Sequence, residues 1–242
     1  MDTEQLAKKL TTWIKEKVEA AGAEGVVFGM SGGIDSSVVA ALCVRAFPKT
    51  SLGLIMPWYS IEEDQEHAEM VARQFSVRTR LVVLDSFADV LLNNLPDFEA
   101  DSSLKRLAQV NVKARMRMVT LYYAANQLHY LVVGSGNRSE LTVGYFTKYG
   151  DSGVDILPLG GLVKKEVREL ARFLEIPRVI IDKAPSAGLW PGQTDEGEMG
   201  ITYADLDNYI LTGDASGAVK KTIDALNARS AHKRATPPIP DF

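Results

Sequence analysis

The residues best suited to chemistry lie near the start of the chain, in the stretch VVFGMSGGIDSSVV over 26–39. A short apolar run is followed by a turn through Ser31, Gly32 and Gly33, and then by an apolar helical pattern. Free backbone N–H groups and the positive end of a helix meet at such a turn, and glycines let the backbone approach a phosphate closely. Asp35 adds a carboxylate suited to Mg²⁺ on a polyphosphate. The stretch predicts a polyphosphate site, and a serine-rich helix cap that binds nothing is the alternative.

The order of the glycines distinguishes this turn from two common nucleotide-binding loops. No lysine follows them, as GxxxxGK[ST] requires, and the spacing is not GxGxxG. The pattern SGGxDS instead resembles the PP-loop of ATP pyrophosphatases. These enzymes cleave ATP between the α and β phosphates and attach AMP to an acyl or carbonyl oxygen.

A second strand-to-turn segment also ends in glycines, a hydroxyl and an acid. Tyr130–Val133 is predicted to be a buried strand, and GSGNRSE follows it over 134–140. Glu140 is placed to be a second carboxylate for the metal that Asp35 would hold, and a helix-capping acid is the alternative. The three histidines have no metal-ligand spacing. Phosphate binding, a metal and lysines must therefore carry the chemistry.

The elements that position these turns alternate between strands and helices. We predict strands over 26–28, Leu52–Met56, Leu81–Leu84 and Tyr130–Val133, and helices over 2–21, Glu62–Phe75, Ser102–Gln127, 164–174, Tyr203–Leu211 and Ala218–Ala228. This alternation predicts an α/β fold, a doubly wound parallel sheet of the Rossmann-like type with helices on both faces. Since ligands bind beyond the carboxyl ends of such strands, Gly29, Met56 and Asp85 should line one crevice.

Composition limits the class of protein. A chain of 242 residues fits a single domain, and 27 basic against 31 acidic residues give a net charge of -4, which does not favour nucleic-acid binding. The one cysteine, Cys43, is expected to be a packing thiol and indicates a reducing compartment. No apolar stretch has the length of a membrane span or a signal core, so we expect a cytoplasmic protein with no membrane partner.

Several charged segments leave alternatives open. Lys113, Arg115 and Arg117 on the longest helix are either a solvated face or contacts to a phosphate or a partner chain. The same helix has more apolar surface than one sheet face needs, which suggests a subunit interface. Lys164 and Lys165 begin a helix with the wrong charge for its dipole, and a nearby anion would explain them. By composition alone, the tail HKRATPPIPDF could be disordered.

Longer motifs extend the resemblance beyond the PP-loop. The segments NVKARMRM, GSGNRSEL, GYFTKYGDSGVDILPL, KKEVRELAR and PSAGLWPGQTDE, and the HKR of the tail, are similar to those of the ammonia-dependent NAD synthetases over most of the chain. The resemblance implies an adenine nucleotide alpha hydrolase-like fold. It also implies amidation of deamido-NAD: the nicotinate carboxylate attacks the α phosphate of ATP, and ammonia then displaces AMP from the acyl adenylate.

The resemblance also implies roles for individual residues. The ATP-binding residues would be Gly29, Met30, Ser31, Gly32, Gly33, Ile34, Asp35, Ser36, Ser135, Lys164 and Ser186. Asp35 and Glu140 would ligate Mg²⁺. Deamido-NAD would contact Arg115, Lys148, Asp155, His232 and Lys233. The catalytic set would be Asp35, Lys164, Asp151 and Asp155, in which either of the last two could orient ammonium or take its proton.

The resemblance also has implications for partners, and two alternative functions stay open beside it. The family resemblance implies a homodimer with the dinucleotide at the interface. The expectation for 1–242 is a single synthetase domain with no glutaminase domain, so that free ammonia is the nitrogen source unless a separate glutaminase subunit delivers it. Two other functions stay open: another PP-loop ligase, such as a tRNA-modifying enzyme, and an adenine-nucleotide-binding module without catalysis. Departures from the family pattern are few: Ser135 and Ser186 stand where many members have threonine, and Gly161 where an acid is frequent.

Overall fold

The computed structural model describes residues 2–186 and 192–241. Within these ranges one parallel sheet contains the strands β1 (Gly25–Gly29), β2 (Ser51–Ile55), β3 (Thr79–Leu81) and β4 (Tyr130–Val133). The helices are α1 (Thr3–Ala20), α2 (Ile34–Ala46), α3 (Glu62–Phe75), α4 (Asp85–Asn94), α5 (Ser102–Leu128), α6 (Arg138–Val143), α7 (Lys164–Phe173), α8 (Arg178–Ile181), α9 (Asp195–Met199), α10 (Tyr203–Thr212), α11 (Gly217–Arg229) and α12 (Ala231–Arg234).

Two apolar clusters cover the two faces of the sheet. Val26 and Phe28 of β1 belong to the cluster that includes buried residues of α1, α2, α3 and α7. Val27 belongs to the second cluster, with buried residues of α4 and α5. Successive side chains of a strand point to opposite faces, so the continuous apolar run of β1 is buried on both. The predicted doubly wound parallel sheet with helices on both faces is confirmed.

The strand order places a crevice where the sequence motifs lie. The order is β3-β2-β1-β4, so the chain runs outward from β1 to β3 and returns to the other side of β1 as β4. In doubly wound sheets the crevice for a ligand opens at such a reversal, beyond the carboxyl ends of the two strands. The SGGxDS turn follows β1 and the segment GSGNRSE follows β4, so both border the same reversal point.

The bounds of the third strand were predicted wrongly. The expected strand was Leu81–Leu84, but β3 is Thr79–Leu81. The chain stays beside β2 after β3 ends, since Val82 N–H donates to Ile55 O (2.8 Å) and Leu84 N–H to Pro57 O (2.9 Å). Proline has no N–H to return a hydrogen bond, so the regular ladder stops while the apolar pattern continues.

A third apolar cluster lies outside the sheet and joins the last helices to α6. It contains Val143, Met199, Tyr203, Leu206 and Ile223, and the helices that contribute are α6, α9, α10 and α11. The tail is attached to the same region. Residues 232–234 belong to α12, so this part of the tail is a helix and not a disordered end. Arg234 guanidinium there donates to Asn227 O (2.6 Å) and Leu141 O (3.1 Å).

The structure also bears on the predictions made for Cys43 and for membrane-spanning segments. Cys43 is fully buried in the first cluster, and burial raises the pKa of its thiol, so it is a packing residue as expected. In the ranges that the structure covers, every helix is too short or too polar to cross a membrane.

Candidate active site

The turn after β1 has a backbone that only glycine accommodates well. Gly32 has a φ of +77°, and a Cβ at this position would overlap the carbonyl oxygen of Asp64, near the start of α3. Gly33 is the N-cap of α2 and offers no side chain to its first turn, where Ile34 is the first residue. The amide groups of that turn are therefore available to an anion.

Serine hydroxyl groups hold this turn together. Ser36 Oγ donates to Gly33 O (3.0 Å) and lies 3.0 Å from Ser31 Oγ, while Ser37 Oγ donates to Gly33 O (2.8 Å). Ser31 is exposed, Ser36 is buried, and Met30 before them is part of the core. In an ordinary N-cap, the hydroxyl oxygen of one serine accepts a hydrogen bond from a backbone N–H of the first helical turn. Here the hydroxyls shape the turn and leave the helix end open.

Lys164 joins the two strand-end segments. Its Nζ lies 2.6 Å from Asp35 Oδ2 on α2 and 3.3 Å from Glu140 Oε1 on α6, and its side chain is only 3% exposed. Asn137 adds a link, because its Nδ2 donates to Asp35 Oδ1 (3.0 Å). The structure thus brings together the two predicted metal ligands and the predicted phosphate-binding lysine, which lie far apart in the sequence.

Charge and burial oppose each other at this cluster. Burial raises the pKa of Glu140 to about 7, with a further contribution from Asp35, although Lys164 acts in the opposite direction. For Lys164, burial lowers the pKa, but Asp35 and Glu140 more than compensate and leave the pKa above its ordinary value. Two carboxylates share one ammonium group, so an additional positive charge would be electrostatically favourable at the cluster.

Glu140 is a helix-capping acid, and its role as a metal ligand stays a prediction. Its Oε2 accepts a hydrogen bond from Asn137 N–H (3.1 Å), and its own N–H donates to Asn137 Oδ1 (3.0 Å), which is a capping box at the start of α6. The other oxygen, Oε1, faces Lys164 and lies 3.4 Å from the Tyr203 hydroxyl. Capping fixes the direction of the carboxylate, and the second oxygen stays available to the site.

The donor set fits Mg²⁺ better than a softer metal. Asp35 and Glu140 would supply hard oxygen ligands beside the turn that is predicted to bind phosphates. Asp195 is a third carboxylate nearby, and it is buried: its Oδ2 accepts from Tyr203 Oη (3.0 Å), and its Oδ1 has no hydrogen-bond partner in the described ranges. Among those residues no three acidic, histidine or cysteine side chains are grouped to hold one metal ion. Two protein carboxylates plus phosphate and water oxygens are therefore the ligand set that fits.

The structure brings together most of the residues expected to contact the dinucleotide. Lys148 Nζ donates to His232 O (2.6 Å), and the Arg115 guanidinium donates to Lys148 O at 3.3 and 3.4 Å. Lys233 Nζ donates to Gly144 O (2.9 Å) and to a second carbonyl of the same loop. These contacts join α5, the loop after α6 and the tail. They also engage Lys233 with backbone carbonyls. Of the predicted dinucleotide contacts, Arg115, Asp155 and His232 are exposed, and Lys148 and Lys233 are half-buried.

The two aspartates suggested for ammonium have backbone partners. Asp155 Oδ2 accepts from Val132 N–H (2.7 Å) and its Oδ1 from the Tyr122 hydroxyl (2.9 Å), so both oxygens are engaged. Asp151 Oδ1 accepts from Thr147 N–H (2.8 Å). These bonds give each residue a role in holding the loop after α6. Their roles toward ammonium stay predictions.

The two serines that replace threonine lie in different surroundings. Ser135 is half-buried just beyond β4, two residues before Asn137. Ser186 is exposed and its Oγ donates to Gln193 Oε1 (3.0 Å). The segment 187–191, which follows Ser186 and includes part of the motif PSAGLWPGQTDE, lies outside the described residues.

Arg117 has a structural role that the sequence left open. It is half-buried, and its Nε donates to Met56 O (3.1 Å) while its Nη2 donates to Ser60 Oγ (3.3 Å). Burial lowers the pKa of its guanidinium. Arg117 therefore ties α5 to the end of β2, and Met56 is a core residue of the second cluster.

The anion expected near the start of α7 belongs to the protein. Asp207 of α10 accepts from Lys165 N–H (2.7 Å) and Lys164 N–H (3.3 Å), so a carboxylate occupies the positive end of this helix. Asp207 thus accounts for the start of α7 without a bound anion, and a bound anion near Lys164 stays a prediction. Sequence analysis missed Asp207 and Tyr203 because their pattern is that of an ordinary amphipathic helix, and only packing in the third cluster brings them to Lys164.

Comparison with known proteins identifies the family. A family model described as NAD synthase matches residues 6–237. The NH(3)-dependent NAD(+) synthetase of Carboxydothermus hydrogenoformans is 49% identical over 237 residues, which cover 98% of this chain and 97% of that protein. The protein of the same name from Syntrophomonas wolfei is 45% identical, with coverage of 99% and 96%.

Solved structures support the same placement. The NMN synthetase from Francisella tularensis has a TM-score of 0.93 and 35% identity, with 100% of both chains covered. The NH3-dependent NAD synthetase from Campylobacter jejuni has a TM-score of 0.81 and 29% identity, again over 100% of both chains. The resemblance inferred from the sequence motifs is confirmed. The chain belongs to the family of ammonia-dependent NAD synthetases, which are ligases.

Proposed function

We propose that the chain converts deamido-NAD, ammonia and ATP into NAD, AMP and pyrophosphate through an acyl adenylate. The observation that carries this proposal is the contact of Lys164 with Asp35 and Glu140 at the open end of α2. Attack of a carboxylate on the α phosphate needs positioning and neutralisation of charge more than a protein nucleophile. The cluster offers both beside a turn suited to phosphates.

The residues of the chain divide this work. The amides of the first turn of α2 would hold phosphate oxygens, with Ser31 as an exposed hydroxyl donor. Lys164 would neutralise charge that develops as the bond between the α and β phosphates breaks. Asp35 and Glu140 would hold Mg²⁺, which on binding would shield the phosphates and favour pyrophosphate as a leaving group. Burial of Lys164 strengthens each of these interactions.

We place the dinucleotide against the Arg115 side of the site. The exposed Arg115 guanidinium, held by Lys148 O, presents a planar fork that suits a pyrophosphate. His232 lies beside it through the hydrogen bond from Lys148 to the His232 carbonyl. Asp151 and Asp155, which shape this loop, are the residues proposed to face ammonia.

The active unit is proposed to be a homodimer formed through α4 and α5. Large apolar side chains on these helices and the link between them are exposed: Phe87 (60%), Val90 (66%), Phe98 (83%), Leu104 (54%), Leu107 (55%), Val119 (52%) and Tyr123 (69%). An excess of exposed large apolar side chains on neighbouring segments of the chain favours a subunit interface. Arg115 lies on α5 beside it, so a second copy would reach the dinucleotide site.

Three coarser expectations accompany this proposal. We infer one catalytic domain over 1–242 that uses free ammonia, a cytoplasmic location, and no nucleic-acid partner. The balanced charge and the single buried cysteine are consistent with them. A tRNA-modifying function gains no support from a chain with 27 basic against 31 acidic residues.

A mononucleotide acid is a second candidate for the substrate. The observation that favours it is the likeness to NMN synthetase, with the TM-score of 0.93. The reacting group would be the same pyridine carboxylate, and the adenylation chemistry at Lys164 would not change. Only contacts to the distal half of the dinucleotide distinguish the two substrates, which places the choice at the Arg115 side.

Product analysis tests the proposal. The protein is incubated with ATP, Mg²⁺, ammonium and either deamido-NAD or nicotinate mononucleotide, and the products are separated by chromatography. We expect NAD, AMP and pyrophosphate in equal amounts, with kcat/KM higher for deamido-NAD. A higher kcat/KM for the mononucleotide would support the second candidate. ADP and phosphate as products would contradict both.

A further inference from the structure

The ammonium group of Lys164 lies between two carboxylates on separate helices. Lys164 is the first residue of α7, and the N–H groups in the first turn of a helix have no partner within that helix. The residue before it, Val163, is fully buried in the core and has no polar side chain to serve as a cap. Glu166 Oε2 accepts from Val163 N–H (2.9 Å), but the amides of Lys164 and Lys165 need an acceptor from elsewhere.

Two buried residues of other helices supply that acceptor. Lys164 N–H donates to Ser139 Oγ (3.1 Å) and to Asp207 Oδ1 (3.3 Å), and Lys165 N–H donates to Asp207 Oδ2 (2.7 Å). Ser139 Oγ–H in turn donates to Asp207 Oδ1 (2.5 Å). Ser139 is completely buried and Asp207 is 95% buried, since its exposed fraction is 5%. A carboxylate in such surroundings is stabilised by these donors and by the positive end of α7.

The network fixes both partners of the Lys164–Glu140 contact. Ser139 precedes Glu140 on α6, so its hydroxyl holds α6 at the same point where Asp207 holds the start of α7. Any shift of Asp207 would change the distance between the ammonium of Lys164 and the carboxylate of Glu140. α6 is also tied to α2, through Asn137 and Asp35.

The helix that carries Asp207 approaches Lys164 from a second direction. Tyr203 is four residues earlier on α10, on the same face of the helix. Its ring centroid lies 4.9 Å from Lys164 Nζ, and its hydroxyl lies 3.4 Å from Glu140 Oε1. One face of α10 therefore contacts the backbone amide of Lys164 and its ammonium group.

We propose that Asp207 and Ser139 are positioning residues for the adenylation step, because they hold Lys164 in place between Asp35 and Glu140. The inference rests on the proposed function and deepens it. Neither residue needs to touch a substrate. Their effect is to restrict the ammonium to the position where it neutralises charge on the reacting phosphates, so that little reorganisation is needed during the reaction.

The test compares Asp207→Asn and Ser139→Ala with the unaltered protein. Asparagine keeps the shape of aspartate but has one acceptor oxygen where three donors meet, and alanine removes the hydroxyl that links Asp207 to α6. Asp2→Ala is the matched control, since Asp2 caps α1 through Gln5 N–H (2.8 Å) far along the chain from Lys164. All variants are assayed below their melting temperature, which circular dichroism measures.

We expect each of the two variants to lower kcat at least tenfold while KM for ATP changes less than threefold, because the phosphate-binding turn is intact. ATP–pyrophosphate exchange in the presence of the acid substrate should fall by the same factor as kcat. The double variant should lose no more than the worse single variant, since both substitutions break one network. Asp2→Ala should reduce the melting temperature but leave kcat unchanged. A folded Asp207→Asn or Ser139→Ala variant with full kcat would overturn the proposal.

Crystal structures of the variants separate this proposal from the proposed function. We expect Lys164 Nζ to leave hydrogen-bond distance of Glu140 in Asp207→Asn, whatever acid the unaltered protein uses. If Lys164 stays in place, the positioning role is wrong even where activity falls. If Asp207→Asn does not fold, Ser139→Ala decides the matter by the same two measurements. If the unaltered protein adenylates only the mononucleotide, the exchange assay is run with that acid and only the choice of substrate changes.

Discussion

At the scale of single residues, the site depends on a lysine whose ammonium group contacts two carboxylates. Lys164 is almost fully buried, and ion pairs in such surroundings contribute less to stability than to geometry, because removing the charges from water is costly. Burial is the main cause of the raised pKa of Glu140, and Asp35 adds to it despite the opposing charge of Lys164. A cation bound between Asp35 and Glu140 would favour both ionised carboxylates, which agrees with the proposed Mg²⁺ ligands.

The first prediction concerns those ligands. Asp35→Asn and Glu140→Gln keep the shape of each side chain and remove its charge. Each should lower turnover by about a hundredfold, the size typical of losing one electrostatic contact to the transition state, and should raise the Mg²⁺ concentration needed for half-maximal rate. Initial rates over a Mg²⁺ titration measure both. Glu169→Gln, an exposed carboxylate on α7, is the control and should change neither. Normal Mg²⁺ dependence of either test variant would remove that residue from the ligand set.

The second prediction concerns Arg115. Losing a planar guanidinium contact to a pyrophosphate costs roughly 1.5–3 kcal/mol, and 1.4 kcal/mol corresponds to about tenfold in affinity. Arg115→Ala should therefore raise KM for deamido-NAD by about tenfold or more and leave KM for ATP nearly unchanged. Steady-state kinetics with each substrate varied in turn provide the measurement. Equal increases in both KM values would mean that Arg115 acts only by holding the loop through Lys148 O.

Residues near a local motif could be predicted from the sequence, while those placed by tertiary packing could not. Asp35 and Glu140 follow apolar strands within a few residues of glycines, and that local pattern was enough to predict that their carboxylates lie close together. Asp207 and Tyr203 reach Lys164 only because the third cluster packs α10 against α6 and α7. Nothing in the spacing of α10 distinguishes it from any helix with one buried face.

At the scale of elements, the turn after β1, where we propose that phosphates bind, depends on the approach of α3. The carbonyl oxygen of Asp64 fills the space that a side chain at Gly32 would need, so α3 and the turn are packed backbone to backbone. The amphipathic pattern of Glu62–Phe75 predicted this helix correctly. Its contact with the turn could not be predicted, because a contact between backbones leaves no pattern in the side chains other than the glycine itself.

The third prediction follows from that contact. Gly32→Ala places a Cβ against the Asp64 carbonyl and requires a φ that alanine adopts only with strain, which costs roughly 1–3 kcal/mol. We expect a lower free energy of unfolding and a KM for ATP that is at least tenfold higher. Chemical denaturation and kinetics are the measurements. Gly161→Ala is the matched control, since a Cβ there meets open space. If both variants behave alike, the close approach of α3 has no importance for the turn.

At the scale of the whole molecule, the exposed apolar surface on α4 and α5 suggests a second copy of the chain. The excess of apolar residues on the long helix was visible in the sequence, but the sequence could not show which of them stay exposed. Met118, for example, is half-buried and its Cγ approaches Gly153 within the subunit. Val119 and Tyr123, one turn apart, are exposed and are better probes of the interface.

The fourth prediction tests the dimer through Val119→Asp. A charge in an apolar interface should raise the dissociation constant of the dimer by about tenfold or more, because burying an unpaired carboxylate is costly. Activity with the dinucleotide should fall in parallel on dilution. Sedimentation velocity and turnover over the same dilution series measure both. Val179→Asp, the same substitution at an exposed position on α8, is the control. A fully active monomer would exclude the interface argument and leave the adenylation chemistry unaffected.

The central claim is that a substrate carboxylate attacks the α phosphate at the Lys164 cluster, and isotope transfer tests it most directly. Deamido-NAD labelled with ¹⁸O in its nicotinate carboxylate is converted with ATP, Mg²⁺ and ammonium, and the products are analysed by mass spectrometry. If an acyl adenylate forms, one labelled oxygen passes to the phosphate of AMP and the other stays in the amide of NAD. Labelled inorganic phosphate together with ADP would place the attack at the γ phosphorus, and unlabelled AMP together with labelled pyrophosphate would place it at the β phosphorus. Either result would contradict the account.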